Sequence, residues 1–137
     1  RPVVTPVVDA IAGGGDGQRI LVVEDEQGVL LFLERTLSRA GYDVSIAKSA
    51  DVALELTAGD SFDLVLTDVV MPRMSGIELA EKIHKRRPDL TIVFMSGYGG
   101  DFFSKDTRGT EAVLFKPFGK EQLLNAVAVA LDEGRPR

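Results

Sequence analysis

The sequence predicts a doubly wound α/β domain built on a five-stranded parallel sheet, and three observations predict it. Short β-branched or apolar runs alternate with longer stretches of helical spacing through five rounds. The runs carry apolar residues at successive positions, as strands covered on both faces do. Four of the five end in a polar or charged residue of chemical interest, and in an open parallel sheet ligands bind at those carboxyl ends. With 137 residues, 45% of them hydrophobic, the chain suits one compact domain with a single core and leaves no space for a second of ordinary size.

Composition narrows the function classes. A net charge of −5 disfavours nucleic-acid binding, which relies on clustered Lys and Arg to neutralise phosphates. The absence of cysteine excludes a disulfide framework, a thiolate metal site and a thiol nucleophile, and is compatible with a cytoplasmic setting. No apolar run nears the roughly 20 residues of a membrane helix, so no direct membrane insertion is expected. The start of the chain does not read as a signal peptide.

Residues 1–17 hold Pro2, Pro6 and the run Gly13-Gly14-Gly15, and are expected to form a flexible linker ahead of a domain over 18–133. Residues 134–137 are expected to be a disordered tail. Ile20-Leu21-Val22-Val23 is the first strand and ends in Glu24-Asp25-Glu26. Leu30, Leu33, Leu37 and Ala40 then recur at helical spacing up to the stop at Gly41. That helix also carries Val29, Leu31 and Phe32, which read either as a wide core face or as a docking surface. Val44-Ser45-Ile46-Ala47 is the second strand. Ser49 then caps a helix expected to bury Val52, Ala53 and Leu56.

The third strand, around Leu64-Val65-Leu66, ends in Thr67-Asp68, and Met71-Pro72 and Ser75-Gly76 enforce a loop before the next helix. This helix runs to about Arg86 with Ile77, Ala80 and Ile83 inward. His84, the single histidine, sits in its last turn and is expected to be solvated there. Thr91–Met95 is the fourth strand, ending in Ser96-Gly97. Ala112–Phe115 is the fifth, ending in Lys116-Pro117. A last helix from about Lys120 to Asp132 turns Leu123, Leu124, Val127 and Leu131 inward.

Asp25, Asp68, Ser96 and Lys116 thus stand just past the ends of strands one, three, four and five and converge on one edge. Carboxylates gathered in a partly buried site repel one another unless a cation neutralises them. An all-oxygen donor set suits Mg²⁺, which keeps water and accepts phosphate oxygens. Lys116 adds a positive charge and Ser96 a hydroxyl, both suited to a phosphoryl group. The chemistry suggested is phosphoryl transfer to a carboxylate nucleophile, Asp68.

These residues resemble the receiver domain of two-component response regulators, from about Arg19 to about Asp132. The carriers are Ile20–Glu26, the segment Asp63–Gly76 with its Asp-x-x-Met-Pro, then Phe94-Met95-Ser96-Gly97-Tyr98 and Phe115-Lys116-Pro117-Phe118. The resemblance implies a flavodoxin-like strand order of 2-1-3-4-5, helices on both faces and a cis Lys116–Pro117 bond. It implies that Asp68 accepts phosphate from a phosphohistidine on a histidine kinase or histidine phosphotransfer protein. Asp25, Asp68 and the Val70 carbonyl would then bind Mg²⁺, with Glu24 acting through water, while Ser96 and Lys116 hold the phosphoryl group.

The chain departs from the family pattern in having Glu24 for a common Asp, Val113 for a common aromatic, and a glycine-rich segment between Ser96 and Lys116. That segment is expected to hold a short or frayed helix that is ordered by phosphorylation. The Ser96-Gly97-Tyr98 run and the linker also resemble the C-terminal receiver of a hybrid histidine kinase. The competing reading is an aspartyl-phosphate phosphatase of the haloacid dehalogenase type, but its general-acid Asp would stand where Val70 does. A flavodoxin-like carrier lacks a phosphate-cradling loop after the first strand.

Overall fold

The computed structural model describes residues 15–97 and 112–133. The linker residues ahead of Gly15, the glycine-rich segment from Tyr98 and the last four residues lie outside that range. Five strands, β1 (Arg19–Val23), β2 (Asp43–Ala47), β3 (Leu64–Asp68), β4 (Thr91–Ser96) and β5 (Ala112–Phe115), form one parallel sheet in the order β2-β1-β3-β4-β5. The helices are α1 (Gln27–Arg39), α2 (Ala50–Gly59), α3 (Gly76–Arg86) and α4 (Lys120–Glu133). This is the expected fold, with the expected order.

Alternation along each strand sorts the core into two layers. Leu21 and Val23 of β1, Val65 of β3 and Ile92 and Phe94 of β4 pack with Ala53 of α2 and Leu79, Ala80 and Ile83 of α3. Ile20, Val22, Leu64, Leu66, Val93 and Met95 face the other way, onto Leu30, Leu33 and Leu37 of α1 and Leu123, Val127 and Ala130 of α4. Each fully buried aliphatic side chain contributes about 1.5–3 kcal/mol, so the central strands hold the sheet in one register. The loops that follow Val23 and Asp68 are therefore fixed by burial behind them.

The helix starts are built as the sequence indicates. Ser49 Oγ accepts the Val52 N–H at 3.2 Å, and Ser75 and Glu78 form a reciprocal capping box on α3. Several burial expectations change. In α2, Ala50, Ala53 and Thr57 face the sheet, leaving Leu56 half-buried and Val52 exposed. Val52 lies off the Ala50-Ala53-Thr57 line, where the helical phase turns it to solvent. Thr57 is tolerated inside because its hydroxyl donates to the Ala53 carbonyl at 3.0 Å. Leu79 replaces Ile77 as a buried α3 residue, while Ala40, Leu124 and Leu131 are half-buried. His84 is half-buried rather than solvated, with Nε2 2.9 Å from the Leu90 carbonyl oxygen.

Gly15, Gly17 and Gln18 lie against the turn between α1 and β2. The Gly15 N–H donates to the Ala40 carbonyl (2.8 Å) and the Gly17 N–H to the Gly41 carbonyl (2.9 Å). The Asp43 N–H donates to the Gln18 carbonyl at 2.9 Å. Gly41 has φ +104°, and a Cβ on either Gly15 or Gly41 would strike the backbone of the other.

Candidate functional site

The strand ends deliver the site. Glu24 and Asp25 follow β1, and the Glu24 N–H donates to the Ala47 carbonyl at 3.1 Å, extending the sheet by one bond. Asp68 closes β3, and the next residue, Val69, donates its N–H to Met95 of β4 at 3.0 Å. Carboxylate oxygens of Glu24, Asp25 and Asp68 lie within 4.8 Å of one another, with Glu24 and Asp68 buried and Asp25 exposed. Lys116, after β5, reaches across with Nζ 3.4 Å from Asp68 Oδ1 and 3.5 Å from Glu24 Oε1. The second Glu24 oxygen, Oε2, accepts the Glu26 N–H at 3.2 Å.

The electrostatics of this cluster are strained. Burial raises the Asp68 carboxyl above its ordinary range; Lys116 opposes this and the Asp25 charge adds to it. Burial and then the Asp68 charge raise Glu24, against the pull of the Glu26 N–H and Lys116. Burial alone would lower the Lys116 ammonium, but the Asp68 and Glu24 charges outweigh it and the net direction is up. The Lys116 ammonium is thus shared between Asp68 and Glu24, with the Asp25 carboxylate beside them. The donor set is entirely oxygen, so the group fits a hard divalent cation such as Mg²⁺.

Of the residues the sequence singled out, Glu24, Asp25, Asp68, Val70 and Lys116 line one open cleft of about 610 Å³, together with Glu26 and Gly97. Ser96 ends β4 and is buried behind it, its carbonyl accepting the Lys116 N–H at 2.7 Å. The Lys116–Pro117 bond is cis. Val70 presents its side chain half to solvent at the cleft.

Three contributors escaped sequence reasoning. Thr67, fully buried, donates its hydroxyl to the Asp68 carbonyl at 3.0 Å. Gly76, at the first position of α3, donates its N–H to the Val69 carbonyl at 2.8 Å, and a Cβ there would collide with the Asp68 carbonyl. A positive-φ requirement was absent at Gly76, so only packing reveals its need. The third is Arg73, with φ +73°, whose Nη2 meets Asp51 Oδ2 at 3.0 Å and ties the loop after β3 to the first turn of α2.

A doubly wound sheet with carboxylates and a lysine at its carboxyl edge defines the class of domain. Residues 20–128 match the response regulator receiver domain family, and the chain belongs to it. It is 38% identical over 112 residues to the response regulator receiver protein CpdR of Brucella abortus (strain 2308), covering 80% of this chain and 93% of that one. It is 37% identical over 118 residues to the sensor kinase CckA of the same organism, of which it spans only 12%. Among solved structures, a response regulator receiver protein from Sinorhizobium medicae WSM419 superposes with a TM-score of 0.80 at 30% identity, over 88% of this chain and 98% of that one. Among the described residues no helix is long and apolar enough to cross a membrane.

Proposed function

We propose that this chain is a phosphoacceptor module of a two-component phosphorelay, taking a phosphoryl group onto Asp68 from a phosphohistidine on a histidine kinase or histidine phosphotransfer protein. A carboxylate oxygen of Asp68 attacks phosphorus in line, a P–O bond forms, and the P–N bond to imidazole breaks with its electron pair going to the leaving nitrogen. The observation that carries this is the placement of Lys116 Nζ within 3.5 Å of both Asp68 and Glu24, at an open cleft at the carboxyl edge of the sheet.

Asp25, Asp68 and the Val70 carbonyl would hold Mg²⁺, with Glu24 acting through water. When bound, the ion supplies charge that neutralises the carboxylates and the phosphoryl oxygens. Glu24 is occupied at both oxygens, by Lys116 and by the Glu26 N–H, which leaves exposed Asp25 the more available donor. Lys116 would pair with the transferred group and Ser96 would hydrogen-bond it. The module turns over no metabolite on this reading and works in the cytoplasm. The domain over 18–133, with a linker over 1–17 anchored through Gly15 and Gly17, is the unit that does this.

A dehalogenase-type phosphatase needs a general acid two residues after Asp68, and Val70 cannot transfer a proton. Relation to the sensor kinase CckA supports a place in a hybrid histidine kinase, which the coding sequence on either side decides. Labelling with acetyl phosphate in Mg²⁺ tests the central claim. One base-labile phosphate per chain, lost in Asp68→Asn, is expected; label that persists in that variant places the acceptor elsewhere.

A further inference from the structure

Phe32 has no role in the chemistry so far, although its large ring is 39% exposed on α1. It is not without a partner: its centroid lies 6.4 Å from that of Phe118, tilted by 43°. Phe118 is two residues past Lys116 and packs, half-buried, against the core layer formed by α1 and α4. The turn that carries Lys116 is pinned at its entry by the Lys116 N–H on Ser96 and at its exit by the Gly119 N–H on Gln122 Oε1 at 2.7 Å. Pro117 is exposed and has no N–H to donate. Between the two pins, the ring pair joins the turn to α1, beside the packing of Phe118 on the core layer.

The ammonium itself is loosely held. Its distances to Asp68 and Glu24, 3.4 and 3.5 Å, exceed those of a well-formed charged hydrogen bond, about 2.7–2.9 Å. Its place among the carboxylates is therefore set by where the turn puts the stem of the side chain.

From this geometry we infer that Phe32, acting through its ring contact with Phe118, is a positioning residue that holds the Lys116 turn for phosphoryl transfer to Asp68. The inference rests on the phosphoacceptor reading above. Aligning a reacting group matters steeply in such a step, where small displacements cost large factors in rate. A small phosphodonor isolates the effect, because it needs no protein surface to dock on. With acetyl phosphate, phosphorus passes from the acyl-phosphate oxygen to an Asp68 oxygen, and acetate leaves with the electron pair of the broken bond.

The test is the rate of labelling of the full chain by acetyl phosphate at saturating Mg²⁺ for the parent, Phe32→Ala, Phe32→Tyr and Lys116→Ala, with Phe32→Ala also placed in the Lys116→Ala background. Aromatic pairs are worth about two- to tenfold in an equilibrium, so Phe32→Ala is expected to label about two- to tenfold more slowly. Phe32→Tyr should match the parent, and Mg²⁺ affinity should not change. In the Lys116→Ala background the Phe32 effect should vanish. An unchanged rate in Phe32→Ala overturns the inference, as does an equal loss with and without Lys116. Slower transfer from a phosphohistidine protein with an unchanged acetyl phosphate rate also overturns it, and makes Phe32 a docking residue. Label that survives Asp68→Asn removes the underlying reading instead.

Discussion

Lys116 Nζ stands 3.4 Å from Asp68 Oδ1, joining the end of β5 to the end of β3 across β4. The Lys116 side chain is 28% exposed whereas the Asp68 side chain is 10% exposed, so the pair sits at the boundary where desolvation and attraction compete. Its consequences are measurable without any partner protein.

Removing the ammonium should expose the repulsion it holds in check. Lys116→Met is expected to lose about 1–3 kcal/mol at pH 7 without divalent ions, less than a fully buried pair because the ammonium is partly solvated. Both carboxyls are raised in the folded protein, so between their unfolded and folded values the native state binds more protons than the unfolded chain. Stability contributed by these groups therefore falls as pH rises through that window, and the penalty is complete above it. Lys116 has the same slope in a higher window: its raised value contributes stability that is fully present below about pH 10.4 and is lost as pH rises through the folded value. Urea denaturation at pH 7 and pH 4 checks this, with the Lys116→Met deficit shrinking at the lower pH. A deficit that grows on acidification would contradict it.

Mg²⁺ should stabilise the chain through the same carboxylates. At one hundred times its dissociation constant a ligand adds about 2.7 kcal/mol, and the thermal midpoint should rise accordingly. Asp25→Ala and Asp68→Asn are each expected to abolish most of this rise. Without metal, Asp68→Asn should be more stable than the parent at neutral pH, since it removes a raised carboxylate. Calorimetry over a Mg²⁺ titration decides; an equal rise in Asp25→Ala would move the metal elsewhere.

Gly76 and Gly28 should respond oppositely to alanine. A Cβ on Gly76 meets the Asp68 carbonyl and the Val69 Cα, so Gly76→Ala forces α3 away from the strand end and costs about 1–3 kcal/mol. Mg²⁺ affinity should fall with it, because Asp68 moves. Gly28, inside α1, has open space around it, and Gly28→Ala should gain about 0.5–1 kcal/mol with the metal site intact. Chemical denaturation and Mg²⁺ titration of both variants form the comparison.

The sheet order and most of the site were legible because strand ends carry them: burial fixes Val22, Leu66 and Met95, and the residues just past them follow. What stayed hidden depends on three-dimensional packing. Ala50 and Thr57, rather than Val52 and Leu56, are buried beside Ala53 because helical phase is ambiguous in a ten-residue helix with apolar residues on several sides. Half-buried His84 found the Leu90 carbonyl across a turn whose closure no local pattern specifies. Thr67, Gly76 and Arg73 take meaning only from a strand or loop distant in sequence or from backbone contact. The glycine-rich segment after Gly97 lies outside the described residues.

The clasp at the opposite end of the domain gives the last prediction. Gly15 and Gly41 meet backbone to backbone, and Gly41 needs its positive φ, so Gly41→Ala introduces both strain and collision. The Gly15 and Gly17 N–H groups satisfy the Ala40 and Gly41 carbonyls just past the C-terminal end of α1, where no intrahelical donor reaches. Their loss should leave those carbonyls to water and lower stability by about 1–2 kcal/mol. Beneath the clasp Tyr42 is buried, and burial followed by the Asp16 charge raises its hydroxyl. Amide exchange is the direct measurement. In Gly41→Ala the Gly15 and Gly17 amides should lose protection while Leu21 and Leu66 in the central strands keep theirs. Retained protection at Gly15 and Gly17 would mean that the incoming chain is held by something other than this contact.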